Sequence, residues 1–378
     1  MRTNPDFSTG PPPLDPDLCW RAWVRRDRRF EGRFYMGVTS TGIYCRPGCP
    51  ARLPARRNVL FFRSAAAAES DGFRPCHRCR PDSLPGSAAA AGTSAIVSRA
   101  LRLIESGALD EGSLDTLAAR LGVTSRWLRE LFVRQIGAAP LAVAQTRRAH
   151  LARRLVESSA MPLEDVAAAA GYGSARRLRH ALQRSFGRSA RTLRARRAGT
   201  RPAALTLHLT ARGAFDPTPA FAFLLPRAIP GMEIATPATW RRAVRIESGA
   251  AIVEVSADPE RGGLRLRIQP PAPRAVPGIV ARVSRVFDLG ADVAGIAAEL
   301  RADPFLRARM PAAGIRITGA WDAFEMGVRA IVGQQISVAA ARTLLGRIVE
   351  RCGERLPFAD ESLTHLFPTP VALAACDL

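Results

Sequence analysis

Lysine is missing from this 378-residue chain: all 55 of its basic residues are arginine, set against 33 acids for a formal net charge of +22. The planar guanidinium fork suits phosphate better than any other side chain, so an acidic polymer is the implied partner. Also absent is any apolar run near the roughly 18 residues that a membrane span requires. The N-terminal stretch, through Pro11-Pro12-Pro13, shows no basic segment followed by an apolar one, so the expectation is a soluble, unexported, cytoplasmic protein. Hydrophobic residues are not scarce: at 47%, with 23% charged, the chain can bury real cores. That excludes a disordered, collagen-like or disulfide-stapled miniature protein, and the length predicts about two to four domains.

The charge is unevenly spread. Residues 1–83 hold 15 Arg against 8 acids, residues 94–200 hold 19 against 8, and residues 201–378 hold 21 against 17. Coding composition can raise an arginine count throughout a chain, but it does not explain the excess in the middle segment, where most phosphate contacts are expected. Seven cysteines in an unexported chain are expected as reduced thiols, so a cluster of them points to metal or reactivity before disulfides.

Pro85-Gly86-Ser87-Ala88-Ala89-Ala90-Ala91-Gly92 is uncharged and made of small residues, the composition of a tether. Beyond it, apolar residues at three- and four-residue spacing, such as Leu114, Leu117, Ala118 and Leu121, predict helices to about Arg197. Alternation then predicts antiparallel strands at Leu205–Leu209, Ala251–Val255 and Leu264–Ile268, with Gly262-Gly263 as a turn. From about Val276 helical spacing returns, punctuated by Pro304, Pro311, Pro357 and Pro368.

Cys45 and Cys49 form one close pair and Cys76 and Cys79 another, each pinned by a neighbouring Pro47 or Pro75. Two such pairs predict one tetrahedral Zn²⁺ site with four thiolates. Its plainest role is a structural staple. Arg46, Arg52, Arg56, Arg57, Arg74, Arg78 and Arg80 surround it in sequence, however, a positive field that would bring phosphate to the thiolates. His77, between two better-placed cysteines, is not taken as a ligand.

From about Cys19 to Pro81 the chain resembles the Ada-type methylphosphotriester zinc domain. The resemblance implies irreversible transfer of a methyl group from DNA to a zinc-bound cysteine, here Cys45, with Cys49, Cys76 and Cys79 as the other ligands. It places Thr41, Arg52 and Arg74 against the DNA backbone. A zinc-bound thiolate stays ionised at neutral pH without a separate base. Methylation would take the site from −2 to −1, relieving repulsion of roughly 1 kcal/mol per nearby phosphate in water, so repair would strengthen DNA binding.

Leu117–Leu128 and Val166–Leu178 both read as helix-turn-helix signatures with Gly122 and Gly171 at the turns, and Ser125 and Ser174 opening the second helices. Joined by Arg147–Leu155, they resemble the AraC-family DNA-binding domain. Arg126 and Arg129, then Arg176, Arg177 and Arg179, are the candidates for bases or phosphates. The last stretch, Arg188–Arg194, lacks the family's usual Pro-aromatic-Arg ending, which leaves the packing of that helix open.

The region from about Leu205 resembles AlkA-type 3-methyladenine DNA glycosylases, most clearly at Asp322–Ala339, read as the first core helix segment of their helix-hairpin-helix domain. The resemblance implies that Gln334 lines the base pocket and that Gln335 fills the gap left by a flipped nucleotide, by hydrogen bonding where an apolar wedge is common. The family's glycine hairpin and catalytic Asp would lie beyond Leu378. Pro277-Gly278-Ile279-Val280 and Asp377 are not taken for them, and Cys352–Leu378 is expected to be loosely held.

The expected architecture is multidomain and mostly α: a small α/β zinc domain at 1–84, a linker at 85–93, an all-α double helix-turn-helix domain at 94–200, a small α+β domain at 201–275 and a partial helix-hairpin-helix glycosylase domain at 276–378. The reading is a bacterial, nucleoid-associated alkylation-damage protein that repairs DNA, binds Zn²⁺ and activates transcription, with double-stranded DNA and RNA polymerase as partners and no membrane role. The alternative is a plain regulator with an inert zinc site and a non-catalytic tail.

Overall fold

The computed structural model describes residues 14–79, 81, 94–159, 161–194, 203–260, 262–309 and 315–376. The tether, the N-terminal prolines, Arg80 and Asp377 lie outside them. Two compact units result, Met1–Glu157 with Leu163–Ala195, and Ser158–Pro162 with Arg196–Leu378.

The first unit opens with α1 (Pro16–Val24), whose Asp15 cap accepts from Asp17 N and Leu18 N while Pro16 fills the first turn, where a missing N–H costs nothing. Strands β1 (Tyr35–Val38), β2 (Ile43–Cys45) and β3 (Val59–Phe62) precede α2 (Ala65–Ser70), and β4 (Arg74–Pro75) follows it. The sheet order is β3-β1-β2-β4. Pairing is antiparallel except between β2 and β4, which run parallel with Ile43 opposite Arg74 and Tyr44 opposite Pro75. That register sets Cys45 beside Cys76.

The helices α3 (Ala95–Glu105), α4 (Leu114–Arg120), α5 (Ser125–Ile136), α6 (Pro140–Ser158), α7 (Leu163–Ala169), α8 (Ala175–Phe186) and α9 (Ala190–Leu193) complete this unit. Both predicted helix-turn-helix pairs form, α4–α5 and α7–α8, and α6 is the predicted bridge. Thr124 and Ser174 cap the second helix of each pair, accepting from Trp127 N and Arg177 N. Both turn glycines hold positive φ, 71° at Gly122 and 75° at Gly171, and a Cβ at Gly171 would collide with the Asp110 carboxyl group. Asp110 is also gripped by Arg147 and by Arg148 Nε, the latter at 3.3 Å, so these two arginines of α6 clamp the α3–α4 loop. The final helix is a single turn capped by Ser189, seated by buried Ala190 and Leu193.

The second unit has β5 (Leu205–Thr210), α10 (Thr218–Leu224), β6 (Glu233–Ala235), β7 (Thr239–Ile246), β8 (Gly249–Asp258) and β9 (Gly263–Gln269). These strands form an antiparallel sheet in the order β5-β9-β8-β7-β6. All three predicted strands are present, and Leu205, Leu207 and Leu209 alternate inward as the pattern required. Helices α11 (Val276–Val286), α12 (Val293–Leu300), α13 (Pro304–Arg307), α14 (Ala323–Val332), α15 (Val338–Cys352) and α16 (Pro370–Ala374) follow. The Pro277–Val280 run lies within the opening of α11, with Pro277 and Ile279 buried.

Three expectations need correction. Asp322–Ala339 is not one helical segment: α14 closes at Gly333, and Ser337 caps α15 by accepting from Ala340 N. Gln334 and Gln335 therefore sit in a turn, both exposed, with Gln335 at φ 60°. The cysteines are not all thiols, because Cys352 and Cys376 form a disulfide. Nor do the described residues after Cys352 lie loose: Leu363 and Leu366 are buried, and Thr364 N donates to Gly231 O at 2.7 Å.

A buried ion-pair network joins sheet to helix. Arg242 on β7 pairs with Glu233 at 3.0 Å and Glu325 at 2.7 Å, and Arg329 reaches the same acids at 2.6 and 2.8 Å. Burial alone would raise the Glu325 pKa, but the two guanidinium groups hold it below the usual carboxylate range. Its contribution is therefore fully present at neutral pH and is lost as pH falls through that lowered value. Glu325→Ala, which leaves buried Arg242 and Arg329 to share Glu233 alone, is expected to cost about 3–5 kcal/mol. Hydrogen exchange through β7 and α14 in a urea series checks this.

Candidate functional site

The metal centre is assembled by two short loops at one end of the first sheet. Cys45 ends β2; the chain turns through Arg46-Pro47-Gly48, with Gly48 at φ 83°, and Cys49 N donates back to Arg46 O at 3.3 Å. On the neighbouring strand, Cys76 N donates to Tyr44 O at 2.9 Å, and Cys79 completes the second loop. The four sulfurs lie within 4.8 Å of one another and all four residues are buried. A tetrahedron with 2.3 Å Zn–S bonds has edges of about 3.8 Å, so the cluster fits Zn²⁺ with little adjustment.

Trp23 and Met36 are buried against the cluster, with Trp20, Val38 and Ile43 packed around it. Left to themselves the thiols cannot all ionise: hydrogen bonding to Cys45 draws Cys49 down to about 7 and Cys76 lower, while Cys45 itself is pushed up. A divalent cation lifts that restriction by supplying the opposing charge. Cys19, the remaining free cysteine of this half, is raised to about 11 by burial and stands apart as an inert core thiol.

The predicted phosphate contacts fall into two groups. Thr41 and Arg52 are exposed on loops of the metal-bearing half, and Thr41 Oγ1 donates to Val38 O at 3.3 Å. Arg74 is exposed too, but its guanidinium lies against Gly187 just after α8, where a Cβ would sit 2.5 Å from Nη1. Arg46 turns toward Glu31 at 3.4 Å and Arg56 pairs with Asp17. On the helical half, Arg126 and Arg129 share one exposed face of α5, the former bonded to Glu130 at 3.1 Å, and Arg176, Arg177 and Arg179 project from the first turns of α8. The capped starts of α5 and α8 leave these side chains available to a DNA groove.

In the second unit, Trp240, Trp321, Phe223 and the Arg242–Glu325 network line a cavity of about 230 Å³, to which Gly333 and Ile336 contribute but Gln334 does not. Asp322 caps α14, accepting from Phe324 N and Glu325 N, so both acids serve the frame of that helix. Among the described residues no helix is long and apolar enough to cross a membrane.

Sequence reasoning missed Glu69. This acid on α2 contacts Tyr44, Thr146 and His150. No spacing announces a pair 81 residues apart; the one signal is a single acid following four alanines on a short helix.

A four-cysteine metal centre and paired helix-turn-helix units on one compact body, with a separate sheet-and-helix unit, define a metal-binding protein of the helix-turn-helix class. Three domain families match: "Metal binding domain of Ada" over residues 18–82, "Helix-turn-helix domain" over 117–196 and "AlkA N-terminal domain" over 206–322. A Mycobacterium tuberculosis protein named "Probable bifunctional transcriptional activator/DNA repair enzyme AlkA" is 39% identical over 370 residues, 96% of this chain and 74% of its own length. The chain belongs to this family of bifunctional transcriptional activator/DNA repair enzymes. Escherichia coli "Bifunctional transcriptional activator/DNA repair enzyme Ada" is 36% identical over 39% of each chain. Escherichia coli "DNA-3-methyladenine glycosylase 2" is 34% identical over 41% of this chain and 52% of its own. The bound metal is Zn²⁺.

Native mass spectrometry is expected to show one Zn²⁺ per chain, lost in Cys49→Ala. Metal binding should contribute on the order of 10 kcal/mol to folding of the metal-bearing half, so chelation unfolds it.

Proposed function

We propose that the chain removes methyl groups from DNA methylphosphotriesters by irreversible transfer to Cys45. The observation that carries the reading is the buried four-sulfur cluster at the sheet end, on the same compact body as two helix-turn-helix pairs. Zinc supplies the charge that keeps the thiolate ionised. The Cys45 sulfur attacks the methyl carbon, an S–C bond forms as the C–O bond breaks, and the bonding pair leaves on the phosphate oxygen as an ordinary phosphodiester. Thr41, Arg52 and Arg74 hold the DNA backbone at the site; Arg126, Arg129, Arg176, Arg177 and Arg179 bind the operator. The cluster's charge falls from −2 to −1, so the repaired protein binds its promoter more tightly and recruits RNA polymerase on the cytoplasmic chromosome.

The second unit is a glycosylase-type region in this reading, with Gln334 and Gln335 presented to DNA from the α14–α15 turn; we assign no catalytic carboxylate among the described residues. Burial of all four cysteines also favours the plainer alternative, an inert zinc staple in a transcription regulator. One experiment separates them. After incubation with DNA carrying methylphosphotriesters, peptide mapping is expected to find a single added methyl on Cys45. A methyl on Cys76 instead would overturn the choice of nucleophile, and no methyl on any cysteine would favour the staple. Operator affinity should rise on methylation and fall steeply with salt as several counterions are released.

A further inference from the structure

Within the first unit, the metal-bearing half and the helix-turn-helix half meet on small residues. Ala66, Ala67 and Ala138 are buried together, with Phe62, Ala142 and Val143 packed on them, and Ser64 Oγ donates to Ile136 O at 2.9 Å. Beside this apolar contact lies the Glu69 carboxylate, its side chain 15% exposed. Tyr44 OH donates to Oε1 at 2.9 Å, His150 Nε2 lies 2.7 Å from the same oxygen, and Thr146 Oγ1 donates to Oε2 at 2.7 Å. Burial alone would raise the Glu69 pKa; the His150 charge and the bonds from His150, Thr146 and Tyr44 outweigh it and hold the carboxyl below its ordinary range.

The three partners differ in what they belong to. Tyr44 immediately precedes Cys45 and is fully buried; its carbonyl accepts from Cys76 N, so one residue joins both thiol-bearing strands by its backbone and Glu69 by its phenol. Thr146 and His150 are one turn apart on α6, the helix that joins the two DNA-reading pairs. The His150 ring packs on Phe186 of α8 at 5.9 Å between centroids. A continuous chain of contacts thus runs from the sulfur cluster to the second recognition helix.

We propose that Glu69 is a coupling hub which makes the geometry of the four-thiol site and the seating of α6 one linked equilibrium, so that metal at the cysteines stabilises the DNA-reading half and the seating of α6 in turn strengthens metal binding. Such coupling is reciprocal by thermodynamic necessity, and it makes Glu69 a positioning residue for Cys45. The inference rests on the zinc centre of the reading above, not on methyl transfer.

The test uses the full chain and its zinc. Thr146→Val removes one bond to Glu69 from the α6 side without altering the metal-bearing half. It is expected to weaken zinc about five- to tenfold in competition with a chromophoric chelator, within the usual range of such couplings. Glu69→Gln should weaken zinc at least as much, and Thr146→Val should add little in that background, since both act through one contact. Removing zinc from the unmodified chain should speed amide exchange across residues 140–158, an effect lost in Glu69→Gln. Unchanged zinc affinity in Thr146→Val, or exchange in α6 indifferent to zinc in the unmodified chain, overturns the hub. Should Glu69→Gln fail to fold, Thr146→Val decides alone. A chain that binds no zinc refutes the metal centre itself; one that binds zinc without transferring methyl refutes only the repair reaction.

Discussion

Four negative sulfurs brought within 4.8 Å repel one another strongly, and only a divalent cation makes that arrangement favourable. The metal-bearing half is organised around this constraint. It is too short to build a large core: its buried side chains fall into small clusters around Trp23, Tyr44 and Phe34, each a handful of residues. Cross-linking by metal is the usual remedy for a domain of this size. The parallel β2–β4 pairing is the geometric counterpart, since it brings two loops that are about 30 residues apart in sequence to one edge.

The same economy appears where this half meets the helices. Alanine contacts allow close approach but contribute little apolar area each, so the directional bonds at Glu69 fix an orientation that packing alone would leave soft. The second unit solves a similar problem differently, by placing two arginines and two glutamates inside the sheet–helix contact. A buried pair of this kind is costly to desolvate and costly to break, which sets a unique docking of α14 more than it adds stability.

Much of this was legible in the sequence, and the parts that were share a property: they depend on residues close along the chain. The cysteine spacing, the two glycine turns, the helix starts at Ser125 and Ser174 and the alternating Leu205–Leu209 strand all read correctly because their physics is local; that Thr124, one residue earlier, is the cap of α5 was not read. What escaped notice was long-range or broke a local rule. β7 places Arg242 inward beside Ala243 and Val244, which erases the period-2 signal, and β6 is three residues long. The Asp322–Ala339 run carries helical spacing on both sides of a break that only Gly333 and the Ser337 cap reveal. Cys352 and Cys376 read as isolated thiols because nothing in sequence tells that the intervening segment doubles back over β6's approach at Gly231.

One contact described above reaches beyond the protein. Asp110, held between Gly171 of the second turn and Arg147 and Arg148 of α6, wedges the two helix-turn-helix pairs against a common post. With 19 residues, α6 is a strut of about 29 Å. A strut clamped in this way resists swinging to follow a duplex whose contact points have shifted, so under the proposed operator binding the two recognition helices would act as a stiff gauge. An operator with one base pair inserted between the positions they read would be presented some 34° out of phase, and the mismatch would have to be absorbed by bending DNA, not by the protein.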